Sequence, residues 1–116
     1  MEMQADHELP LKPAVLHILL ALVGSEQHGY GIMREIERFT GGAIKIGPGT
    51  LYRSISQMLD AGLIEESDER PDPELDDERR RYYRLTAHGR RIAQAEVNRL
   101  HALVQVARQR GLPEGS

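Results

Sequence analysis

Between Ala14 and Val23 the apolar residues Val15, Leu16, Ile18, Leu19, Leu20, Leu22 and Val23 fall nearly all round a helix. A helix apolar on every side belongs inside a core. Pro13 suits its first position, where a missing N–H costs nothing, and Gly24 ends it. The turn His28-Gly29-Tyr30-Gly31 leads into a second helix, with Ile32, Ile36 and Phe39 at i, i+4, i+7 and Arg34, Glu35, Glu37 and Arg38 between them. That pattern is amphipathic, and Gly41-Gly42 closes it. A third helix starts between Gly47 and Thr50. Leu51, Ile55, Met58 and Leu59 form its apolar stripe, while Thr50, Arg53, Ser54 and Gln57 form a wholly polar one. Gly62 fits the left-handed position after its end, with Leu63 folding back towards Met58.

The periodicity then changes. Residues 63–66 read as one strand and 80–86 as its partner. Alternation in the second strand sets Tyr83 and Leu85 on the core face and Arg80, Tyr82 and Arg84 on the outer face. The joining segment, about 67–79, is too long and too charged for a tight hairpin turn. Thr86 is a suitable N-cap for a last helix over 87–110. Its apolar positions Ala93, Val97, Leu100, Val104 and Ala107 are spaced 4, 3, 4, 3, as in a coiled-coil seam, with Ile92 and Leu103 widening it. At 1.5 Å per residue this helix is about 36 Å long, more than so small a domain can cover. An intermolecular seam follows, with those five residues as the dimer interface.

Composition narrows the function. At 116 residues the chain suits one domain. It has no cysteine, which excludes thiolate nucleophiles, Cys-ligated zinc and disulfides. The longest apolar stretch is far short of the roughly 20 residues of a membrane span, and the start lacks the features of a secretory signal. A cytoplasmic protein with no membrane partner is expected. Histidines at 7, 17, 28, 88 and 101 have no metal-ligand spacing. No nucleophile elbow or phosphate loop is present. We therefore expect no enzyme activity, metal or cofactor. The net charge of −3 hides a block structure. Residues 65–78 hold nine acids and one base, so the remainder is positive, and residues 79–91 carry six arginines and no acid. Such asymmetry is compatible with nucleic acid despite the acidic total.

Three helices, a hairpin and a long helix are the order of a mainly α winged helix-turn-helix with a C-terminal dimerisation helix. In that fold the third helix enters the major groove. The runs His-Gly-Tyr-Gly-Ile (28–32), Gly-Pro-Gly-Thr-Leu-Tyr (47–52), Leu-Asp-Ala-Gly-Leu-Ile-Glu-Glu (59–66) and Arg-Tyr-Tyr-Arg-Leu-Thr-Ala-His-Gly (81–89) resemble the PadR family of bacterial transcriptional regulators over roughly 14–108. The resemblance implies a homodimeric repressor on a pseudo-palindromic double-stranded DNA operator, released by a small-molecule effector or stress signal. It places Tyr30, Thr50, Tyr52 and Arg53 at the DNA face, and Arg80, Arg81 and Tyr82 on the wing. Ser54 and Gln57 join them from the polar stripe. Tyr52 also suits simple packing beside the apolar stripe, and Tyr82 reads equally as an ordinary strand aromatic. The organisation expected is an N-terminal arm (1–13), a DNA-binding body (14–86), the dimerisation helix (87–110) and a tail (111–116). The acidic stretch 65–78 departs from the family pattern and opposes insertion of the wing tip into DNA. A rival reading is a winged-helix module that binds proteins through that acidic wing, against which the polar third helix argues.

Overall fold

The computed structural model describes residues 9–67 and 81–115. Helix α1 (Pro13–Ala21) is followed by a short strand β1 (Gln27–His28), helix α2 (Gly29–Phe39) and helix α3 (Pro48–Asp60). Strands β2 (Ile64–Ser67) and β3 (Tyr82–Leu85) then lead into the long helix α4 (Ala87–Gln109). The architecture is a winged helix, mostly helical with one small sheet.

The expected stops and starts are in place. Gly62 has φ of +75°, its N–H donates to the Leu59 carbonyl at 3.1 Å, and the Leu63 N–H donates to Met58 at 2.9 Å. This pair of bonds is the Schellman stop of α3. The Thr86 hydroxyl oxygen accepts from the Gly89 N–H at 2.9 Å and caps α4, while the hydroxyl itself donates to the Gly62 carbonyl at 2.6 Å. One threonine therefore ties the end of α3 to the start of α4. The two helices meet so closely that a Cβ on Gly89 would lie 1.9 Å from the Leu63 carbonyl oxygen.

Ile18 and Leu19 of α1, Ile32 and Ile36 of α2, Leu51, Ile55 and Met58 of α3, and Leu63, Ile64, Tyr83 and Ile92 form one buried core. Three expectations need correction. The first helix is not buried all round: Leu20 is 37% exposed, because α2, α3 and α4 leave one side of α1 uncovered. The sheet is not a two-stranded hairpin but has the order β1-β3-β2, all antiparallel. Gln27 pairs with Tyr83 and His28 with Tyr82, so the backbone of the expected turn completes the open edge of β3. Lastly, Ile92 and Ala93 face this chain's own core rather than a seam. They lie in the part of α4 that docks on the body, and Ala93 is thereby lost to any intermolecular contact.

Candidate nucleic-acid interface

Helix α3 buries Leu51, Ser54, Ile55 and Met58. Each residue turns about 100° round the helix axis, and this leaves Thr50, Tyr52, Arg53, Ser56 and Gln57 on one outward arc, all exposed. Ser54 was expected on that arc but is only 8% exposed. Its position, three after Leu51 and four before Met58, puts it on the flank of the core stripe. Ser56, which has no place in the i, i+3, i+4, i+7 stripe, lies on the open side instead.

Tyr52 connects this arc to α2. Its ring is half exposed and its hydroxyl lies over the Gly29 backbone, where an added Cβ would fall 2.2 Å from the oxygen. Only glycine admits that approach. Tyr30, in the first turn of α2, is 56% exposed, and the Arg34 guanidinium sits 5.6 Å from its ring centroid. A cation over an aromatic face at that distance is attracted by the ring quadrupole. Tyr30 is also parallel to the His28 ring, with centroids 6.4 Å apart. The His28 Nδ1 accepts from the Gly31 N–H at 3.0 Å and caps α2. Tyr30, Arg34 and the outer arc of α3 thus belong to two helices joined at the Tyr52–Gly29 contact.

The wing base departs from the outer-face placement expected of Tyr82. Tyr82 is 7% exposed, not outward, because β1 lies alongside it and the His28 ring meets its ring edge-on at 5.2 Å. Alternation failed here for want of the third strand. Arg81 is exposed, but its Nη1 donates to both carboxylate oxygens of Glu66 at 3.1 and 3.0 Å. Arg84 donates from Nε to Glu65 at 2.8 Å and lies 3.6 Å from Glu26. Tyr83 is in the core as expected, and burial, followed by the nearby Glu66 charge and Tyr52, holds its phenol above the usual tyrosine range. Arg80 and the acids at 68–78 lie outside the described residues.

On α4, Val97, Leu103, Val104 and Val106 are exposed, and Leu100 and Ala107 are partly so. One functional group escaped the sequence reading. Glu96 is 1% exposed and is gripped by Arg99, at 2.6 Å from Nε to Oε1 and 3.0 Å from Nη2 to Oε2. The available signal was its position: Gly89, Ile92, Ala93 and Glu96 follow the i, i+3, i+4, i+7 pattern of a docked face. No helix among the described residues is long and apolar enough to cross a membrane.

Comparison with known proteins agrees with this geometry. The chain is similar to a transcriptional regulator from Clostridium thermocellum, with 23% identity over 83% of this chain and 87% of the other and a TM-score of 0.68. It is similar to a PadR family transcription regulator from hypervirulent Clostridium difficile, with 21% identity over 84% and 97% of the two chains and a TM-score of 0.68. RosR of H. salinarum is 28% identical over 84% of this chain and 78% of that one, with a TM-score of 0.60. No curated protein matches the sequence. The profile of the transcriptional regulator PadR-like family matches residues 15–95, a span that contains all three strands, the outer arc of α3 and the start of α4 as far as Ala93. The chain belongs to that family of transcriptional regulators, which are not enzymes.

Proposed function

We propose that this protein is a cytoplasmic, homodimeric repressor that reads a pseudo-palindromic operator with α3. The observation that carries the reading is the outward arc Thr50, Arg53, Ser56 and Gln57, set beside Tyr30 and Arg34 on one exposed face. Hydroxyl, amide and guanidinium groups suit base edges and phosphates. Residues 14–86 form the DNA-binding body on this reading, and 87–110 the dimerisation helix. Val97, Leu100, Val104 and Ala107 remain as its seam. Two such bodies related by a two-fold axis meet half-sites about one helical turn apart.

Release by a small molecule completes the proposal. A hollow of about 280 Å³ lies between Pro10, Leu11, Lys12 and Val15 on one side and Gln57, Met58, Ala61 and Leu63 at the end of α3 on the other. Drug-sized ligands fill pockets of about 300–1,000 Å³, so the matching signal is a small, largely apolar molecule. The test of the whole reading is a gel shift with the DNA upstream of the protein's own gene. Retardation that weakens steeply as salt rises supports it. Absence of retardation at low salt, with a labelled protein partner captured through the wing instead, supports the rival module.

A further inference from the structure

A carboxylate as deeply buried as Glu96 persists only when paired and hydrogen-bonded. Arg99 neutralises and orients it, but Arg99 is on the same helix and, among the described residues, bonds only Glu96. The remaining contact is different. The Leu11 N–H donates to Glu96 Oε2 at 3.0 Å, across 85 positions of sequence. Leu11 stands two residues before α1, and its side chain packs against the core. This bond therefore joins α4 to the segment that leads into α1 and packs on the winged-helix core.

Its place on α4 gives it leverage. The docked face consists of Gly89, Ile92, Ala93 and Glu96, and no residue of α4 beyond Glu96 is buried. Thr86 and Gly89 fix the start of the helix, and Glu96 is the last point at which its direction is held. Past it, Val97 to Gln109 extend about 20 Å at 1.5 Å per residue. A change of roughly 10° about Glu96 moves the far end by about 3.5 Å, comparable with the ~3.4 Å rise of one base step.

We propose that Glu96 is a positioning residue: by accepting the Leu11 N–H at the last docked turn, it fixes the angle at which α4 leaves the body and so sets the separation of the two recognition helices. This rests on the homodimer proposed above. Glu96 then selects operators by half-site spacing without touching DNA.

The chain lacks cysteine, so Ser56→Cys introduces a single thiol on exposed α3 for a nitroxide label. Pulsed electron paramagnetic resonance on the full-length protein then reads the distance between the two labels. The parent is expected to give one narrow distance. Glu96→Met keeps the volume and leaves a foldable apolar site, but removes the acceptor. It should shift the mean distance or broaden it beyond the narrow peak of the parent. Glu96→Gln retains an acceptor oxygen for Leu11 and should restore the narrow distance. Leu11→Pro deletes the donor from the other side, with Glu96 and Arg99 intact, and should reproduce the shift even where Glu96→Met fails to fold. An unchanged distance in Glu96→Met or in Leu11→Pro overturns the inference. Absence of any dipolar coupling in the parent instead overturns the homodimer, and this inference with it.

Discussion

Gly89 sits in the first turn of α4, where an added Cβ would fall 1.9 Å from the Leu63 carbonyl oxygen. Alanine is otherwise the better helix residue by about 1 kcal/mol, so propensity and sterics oppose each other here. The obstructing atom is backbone and also receives the Thr86 N–H, so it has little freedom to yield. Overpacking of this kind costs about 1–3 kcal/mol, occasionally more. Gly89→Ala is therefore expected to lower the melting temperature by several degrees, whereas Gly49→Ala, inside the first turn of α3 with open space around its Cβ, is not. Glu96 offers a second test at this scale. The Arg99 hydrogen bond holds its carboxyl below the usual range; burial acts in the opposite sense, and the Leu11 N–H and Arg99 charge add to the lowering. A carboxyl depressed in the folded state stabilises above its unfolded pKa and loses that contribution as pH falls through the folded one. Acid titration of stability below about pH 4.5 should thus be shallower in Glu96→Met than in the parent. An equal slope in both would show that Glu96 does not contribute to acid unfolding. Arg53 is the third. On the outer arc of α3 it suits a bidentate base contact, and Arg53→Ala is expected to cost about 1–3 kcal/mol at the operator and to relax one base position. A loss spread evenly over all sequences would assign Arg53 to phosphate instead.

The helices were legible because each carries its own punctuation: Pro13, the Gly41-Gly42 pair, Gly62 and Thr86 mark ends that the structure keeps within a residue or two. Strand β1 was not legible. Two residues carry no alternation, and what holds them is backbone pairing to Tyr82 and Tyr83, far along the chain. Missing that strand also misplaced Tyr82, since alternation assumes an uncovered outer face. Ser54 and Glu96 misled for one shared reason. Polarity in a sequence marks what a side chain can bond, not whether water reaches it. The wing shows the same lesson in charge. Arg81 and Arg84 stand in a run rich in arginine, and Glu66, Glu65 and Glu26 face them across the sheet base. These pairs are solvent-exposed and contribute little to stability. Their weight falls instead on DNA, where each phosphate neutralised steepens the salt dependence by about 0.9. Glu65→Gln combined with Glu66→Gln should leave the melting temperature almost unchanged, raise affinity for random duplex at low salt and add about 1–2 to the slope. Unchanged affinity for random DNA would mean that the wing arginines do not reach the backbone.

At the scale of the whole molecule the unanswered surface is the outer half of α4. Its body-facing turns end at Glu96, yet Val97, Leu103, Val104 and Val106 continue the helix as exposed apolar residues. A helix of 23 residues spans about 34 Å, and a lone domain gains nothing from holding its second half rigid in water. A second copy laid against it explains both the length and the 3, 4, 3 spacing that survives after Ala93 is assigned to the core. In a two-fold dimer each seam position meets the same patch on its partner, so one substitution introduces two charges at once. Val104 is the position to test, because it is 44% exposed and its side chain owes little to the fold of its own chain. Val104→Glu should leave the helical circular dichroism intact while separating the subunits. An unpaired buried charge costs about 3–5 kcal/mol, and each 1.4 kcal/mol is tenfold in dissociation constant, so the loss is roughly two to four orders of magnitude. Sedimentation would then find a species of 13.1 kDa, against twice that mass expected of the parent. Binding to paired half-sites should collapse towards the weaker affinity of a single half-site, since α3 itself is untouched. A Val104→Glu protein that still sediments as a dimer would place the seam elsewhere and leave the outer half of α4 without a partner.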